Sequence, residues 1–140
     1  MRRILSVILT IFLLVVSVLP CFAAETDTTV ITPRYTHIDI NKVNLTINET
    51  TGIATCFASC YAIGNYTVKV ECKLQRYQGG FYSTIKTWTN SGPEYASVYQ
   101  NWAVYSGYQY RVYAIFYVYD SAGKLLESAT SSASYNYPKN

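Results

Sequence analysis

The sequence predicts an all-β protein: a single antiparallel β-sandwich of seven or eight strands behind an N-terminal signal peptide. Three observations carry that expectation. Past residue 34 the apolar side chains recur with period two and not 3.6. Turn-forming clusters interrupt them at short spacing, at residues 48–52, 62–65, 78–80, 90–93, 106–107 and 120–123. No helical stretch follows the first apolar run, so strands have only one another to pack against.

The chain opens with Arg2 and Arg3, an apolar run over 4–19, Pro20, and then Cys21, Phe22 and Ala23. A basic start, an apolar centre and a small-residue site have the layout of a secretory signal peptide, with cleavage expected after Ala23. The apolar run is short for a spanning helix and no second one follows, so no membrane span is expected in the mature chain. Cys21 raises the minority alternative of a lipid-anchored N-terminus, although Pro20 stands where lipoprotein processing favours a small residue.

Cleavage removes two arginines and no acid, so the formal net charge falls from +3 to +1. A nearly neutral domain lacks the electrostatic footprint of a nucleic-acid binder or of a protein held on an anionic membrane. The remaining 117 residues fit one domain. The expected organisation is signal peptide 1–23, a polar, Thr-rich leader 24–33, a sandwich domain 34–137 and a tail 138–140.

Residues 35–40 and 43–47 alternate as two short strands. In the run 53–61, Ala54, Cys56, Ala58 and Cys60 share one face; in 66–77, Tyr66, Val68, Val70, Cys72 and Leu74 share one. Cys56 and Cys60 lie about 13 Å apart in an extended strand, beyond the roughly 7 Å that a disulfide spans. A bridge to Cys72 therefore comes from Cys56 or Cys60. A hairpin turning about Gly64 sets Cys56 opposite Cys72 and favours that pair, whereas a crossover between sheets leaves both open. Three buried free thiols are the alternative. A metal site is not expected, because His37 is the single histidine and no C-x-x-C spacing occurs. No cofactor motif is present.

Strands are next expected over 81–89 and 95–105, the latter placing Ala96, Val98, Trp102 and Val104 on one face interrupted by Gln100, with Trp102 in the core. The longest alternation follows. Tyr110, Val112, Ala114, Phe116 and Val118 form an uncharged face fit for the core, and Arg111, Tyr113, Ile115, Tyr117 and Tyr119 form an amphipathic outer face. Residues 124–129 make a last strand, weakened by serines, before a polar tail.

Gly107, Tyr110, Val112 and Ala114 stand in a G-x-x-Y-x-V-x-A spacing that resembles the penultimate strand of fibronectin type III and immunoglobulin-like sandwiches. The resemblance implies a tyrosine corner, a hydroxyl bonded to upstream backbone, at Tyr110, with Tyr108 as the other candidate. Across nearly all of the mature chain, the sequence also resembles a family of small, uncharacterised secreted proteins of Gram-positive bacteria. That likeness rests on Pro33, Arg34, Tyr35 and Ile38, on Leu74 to Tyr77 with Gly80, Lys86 and Trp88, on the G-Y-x-Y-R-V strand, and on Asp120 to Ser128. It implies a secreted sandwich and no particular activity.

The function expected from the residues is non-enzymatic. His37 has no nucleophile motif near it, and the acids sit at turns or on outward strand positions. Fifteen tyrosines and two tryptophans exceed what one small core needs. Tyr113, Tyr117 and Tyr119, beside Arg111, form the candidate binding surface, since tyrosine offers apolar area with a polar tip at little entropic cost. The expected role is an extracellular or cell-surface interaction module. Its partner is an extracellular protein, the cell envelope or a polysaccharide; a carbohydrate-binding module and a self-associating structural protein are the alternatives.

Overall fold

The computed structural model describes residues 35–139. The expected signal peptide, the Ala23 cleavage site, Cys21 and the leader lie outside the described residues. Seven strands follow in order: β1 (Ile38–Asn48), β2 (Ile53–Ala62), β3 (Thr67–Gln78), β4 (Phe81–Pro93), β5 (Tyr95–Ala103), β6 (Tyr108–Tyr119) and β7 (Leu125–Tyr137). They form two antiparallel sheets, β1-β2-β5 and β4-β3-β6-β7. The fourth strand pairs with β3 and not with β5, so it joins the sheet of β3, β6 and β7, whereas the fourth strand of constant immunoglobulin domains joins the first, second and fifth in the ABED sheet.

The alternating faces of β2, β3 and β6 meet between the sheets. Val68, Val70, Cys72 and Leu74 from β3, Ala54, Cys56, Ala58 and Cys60 from β2, and Tyr110, Val112, Ala114, Phe116 and Val118 from β6 are all essentially inaccessible to solvent. A change at Phe116 to Ala would therefore open a cavity in the middle of the sandwich, a loss of about 3–5 kcal/mol.

Four expectations need correction. The first two strands are one: β1 is continuous, and a bulge between Ile38 and Ile40 shifts its parity. Ile38 before the bulge and Leu45 and Ile47 after it all point into the core, an even and an odd set that alternation alone reads as two strands. Second, β2 and β3 do not form a hairpin about Gly64; the chain crosses there from one sheet to the other.

Third, β4 continues through the turn expected at 90–93, and β7 runs to Tyr137 where a polar tail was expected. Small residues disguise β7. Ala129 and Tyr137 are buried, while Ser128, Thr130, Ser132 and Ser134 lie on the outer face. Fourth, Trp102 is not core: it is 39% exposed, at the end of β5 where the sandwich opens toward β4.

Side chains close the ends of the sandwich. The Glu127 carboxylate on β7 accepts the backbone N–H groups of Thr36, His37 and Ile38 at 2.9, 2.8 and 2.8 Å, which ties the start of β1 to the opposite sheet. At the other end of β7, the hydroxyls of Tyr135 and Tyr137 donate to the Glu49 carboxylate and carbonyl at 2.8 and 3.0 Å, in the β1–β2 turn. That turn is built by Asn48, whose side-chain oxygen accepts from Thr50 and Thr51 N–H, and by Gly52 at φ 68°.

Candidate functional site

The outer face of the four-stranded sheet collects the residues expected to bind. Register places Lys73, Tyr113 and Ser132 in one row across β3, β6 and β7, and Lys69, Tyr117 and Ser128 in another. Arg111 lies two residues along β6 from Tyr113, on the same face, opposite Gln75 of β3. Tyr113, Tyr117, Tyr119 and Arg111 are all partly exposed there.

Arg111 is held on several sides. Its Nε donates to Gln75 Oε1 at 2.7 Å, and Gln75 Nε2 donates to Thr84 Oγ1 at 2.9 Å, a relay across β6, β3 and β4. Its guanidinium lies 3.9 Å from the Tyr82 ring centroid and 5.3 Å from that of Tyr113. The Tyr117 and Tyr119 rings stack at 6.3 Å, and Lys69 Nζ stands 5.6 Å over Tyr117. Lys73 pairs with Glu71 at 2.8 Å, and the hydrogen bond to that carboxylate, with its charge, raises the lysine pKa. The face thus presents tyrosines and one arginine in fixed orientations, bordered by hydroxyls.

Tyr110 points the other way, into the core. Its hydroxyl donates to the Tyr105 carbonyl at 2.9 Å and accepts the Tyr105 N–H at 3.2 Å, so one side chain closes the β5–β6 connection as a tyrosine corner does. Burial pushes its pKa up, against the opposing pull of the Tyr105 backbone bond. Tyr108 is partly buried beside it, rings 6.4 Å apart, with the Arg76 guanidinium 4.7 Å from the Tyr108 centroid.

No disulfide joins Cys56 to Cys72: among the described residues Cys56, Cys60 and Cys72 are free and buried. The sheet crossover at residues 63–66 sets β2 and β3 in facing layers, so the favoured pairing by hairpin register has no basis. Burial, and next the neighbouring Cys72, push the Cys56 thiol up to about 12. Burial, followed by the Glu127 charge, takes Cys60 to about 11, and burial takes Cys72 to about 11. All three are protonated at neutral pH and poor nucleophiles. Among the described residues no group of three His, Cys, Asp or Glu side chains could hold a metal ion, and no helix is long and apolar enough to cross a membrane.

Two depressions that the sequence did not single out lie elsewhere. One, of about 460 Å³, follows the open side between β4 and β5 and is lined by Trp88, Thr89, Asn90, Ser97, Val98, Tyr99 and Gln100. Asn90 Nδ2 donates across it to the Ser97 carbonyl at 2.8 Å. Trp88 and Trp102 meet edge to face beside it at 6.2 Å, and Lys86 Nζ stands 4.7 Å over Trp102. The Gln100 that interrupts the apolar face of β5 is exposed on this open side. The other depression, of about 330 Å³, lies on the outer face of the three-stranded sheet, lined by Lys42, Phe57, Ser59, Tyr61 and Tyr95.

No protein-family model matches the chain, and no curated protein or solved structure matches it.

Proposed function

We propose that this protein is an exported, non-catalytic interaction module that recognises an extracellular or envelope-bound protein through the outer face of its four-stranded sheet. The observation that carries the reading is the fixed placement of Arg111 between Tyr82 and Tyr113, in line with Tyr117 and Tyr119. Tyrosine and arginine dominate binding hot spots, because each buries a large area while keeping directional hydrogen bonds. Here they are oriented before any partner arrives, which lowers the ordering cost of association. The serine and threonine border supplies adaptable hydrogen bonding around them, a composition that suits protein recognition.

Export belongs to the same proposal and rests on the N-terminal layout of residues 1–23, and membership of the Gram-positive secreted family that the sequence resembles rests on the motifs between Pro33 and Ser128. N-terminal sequencing of protein recovered from the culture medium checks it, with Ala24 as the expected first residue.

The binding test is affinity capture from solubilised cell-envelope protein by the purified protein and by its Tyr113→Ala, Tyr117→Ala double variant. A discrete partner retained by the parent and lost by the variant is the expected result. Equal retention by both would move recognition off this face. Concentration-dependent mass in sedimentation, abolished by the variant, would replace the foreign partner with a second copy.

A further inference from the structure

The outer face of the three-stranded sheet carries the same short pattern on two adjacent strands: Phe57-x-Ser59-x-Tyr61 on β2 and Tyr95-x-Ser97-x-Tyr99 on β5. Register aligns them. Tyr61 stands opposite Tyr95, Ser59 opposite Ser97 and Phe57 opposite Tyr99, with Lys42 of β1 opposite Ser59 on its other side. Two aromatic rows therefore flank a row of two serines and one lysine.

Rows two residues apart along a strand are separated by about 7 Å, so the aromatic rows stand about 13 Å apart over a hydroxyl floor. The 330 Å³ depression occupies the part of that gap nearer β1, against Lys42, Phe57, Ser59, Tyr61 and Tyr95, while Ser97 and Tyr99 border the other depression. Ser59 is only 7% exposed although it faces outward, while Tyr61, Tyr95 and Tyr99 are 43, 49 and 65% exposed. None of the ring pairs found among the described residues involves Phe57, Tyr61, Tyr95 or Tyr99. Ser59 lies at the base of the depression, with the rings standing around it.

Lys42 ends the serine row with an exposed side chain, and the ion pair found among the described residues, Lys73–Glu71, does not include it. A matching ligand has apolar ring faces, several hydroxyls and one negative charge. We propose that this slot is a subsite for an acidic polysaccharide, one uronic-acid ring lying between Phe57 and the Tyr61–Tyr95 pair over Ser59 with its carboxylate at Lys42. Serine hydroxyls both donate and accept, as sugar hydroxyls do, and tyrosine faces cover the ring's C–H surface while their tips remain solvated. The subsite is on the sheet opposite the tyrosine and arginine face and does not depend on that face's role.

Affinity electrophoresis of the purified protein in gels containing polygalacturonate tests it, with carboxyl-reduced polygalacturonate as the neutral comparison. Retardation by the acidic polymer is expected, weakened at least about tenfold in apparent affinity, a loss of roughly 1.4 kcal/mol, in a Tyr61→Ala, Tyr95→Ala double variant. Lys42→Gln should abolish the preference for the acidic polymer, while the charge-matched Lys124→Gln should migrate as the parent does. The altered tyrosines are half exposed, and an unchanged thermal transition reports that each variant is folded. Absence of retardation, equal loss with Lys124→Gln, equal retardation by the neutral polymer, or equal competition by polyglutamate would each overturn the assignment.

Discussion

Glu127 accepts the backbone N–H of Ile38 at 2.8 Å, and with it those of His37 and Thr36, so a carboxylate on the last strand completes the hydrogen bonding of the first. Burial raises its pKa, but the three backbone bonds, with His37 adding to them, outweigh that and leave it below the ordinary carboxylate value. A group with a lowered folded-state pKa contributes stability above its unfolded value, and loses it as pH falls through the folded one. Glu127→Gln is expected to cost about 1–3 kcal/mol at pH 7, measured by urea denaturation. The gap to the parent should close as pH drops below about 4.3, where the unfolded carboxylate protonates. A gap independent of pH would show that the charge is not what holds β1.

Tyr110→Phe keeps the buried ring and removes both bonds to Tyr105. The expected cost is about 1–2 kcal/mol with an unchanged denaturant slope. The same change at Tyr108, whose hydroxyl makes no such contact to Tyr105, should stay within about 0.5 kcal/mol of the parent.

Gly52 has φ 68°, and a Cβ there would meet the Val104 carbonyl oxygen at 3.0 Å. Gly52→Ala is expected to destabilise by about 1–2 kcal/mol from the left-handed conformation alone. Gly80 also has positive φ but open space around it, so Gly80→Ala should cost less. Thermal melts of the two variants make the comparison, and equal losses would mean that the Val104 contact relaxes freely.

The three sheltered thiols are expected to resist a thiol-specific disulfide reagent at pH 8 in the folded protein, and all three should titrate in denaturant. Fewer than three in denaturant would reveal a bridge formed on export.

The sandwich was legible where one face of a strand holds no charge, as in Val68 to Leu74 and Tyr110 to Val118, because period-two alternation then has a single reading. It blurred where a bulge changes parity between Ile38 and Leu45, and where the serines of β7 give alternation no contrast. The outward placement of Tyr113 and Tyr117 followed from the same alternation. What alternation cannot supply is the neighbour across the sheet. Arg111 gains its meaning from Gln75 and Tyr82, two strands that the sequence places far from it. The slot beside Lys42 was in principle visible as two copies of an aromatic-x-Ser-x-Tyr pattern, but only the pairing of β2 with β5 makes those copies face each other.

Strands β4 and β5 each end their sheet, and exposed strand edges invite pairing between molecules. Asn90 occupies the Ser97 carbonyl from the facing sheet, and Lys86, at a position whose parity points inward, sets a charge over Trp102 on the same side. A second chain approaching this edge would have to displace the amide and desolvate the ammonium. The open side of the sandwich is thereby guarded against intermolecular β-sheet growth, so an Asn90→Val, Lys86→Leu variant should fold and then form fibrillar aggregates at concentrations where the parent stays dispersed.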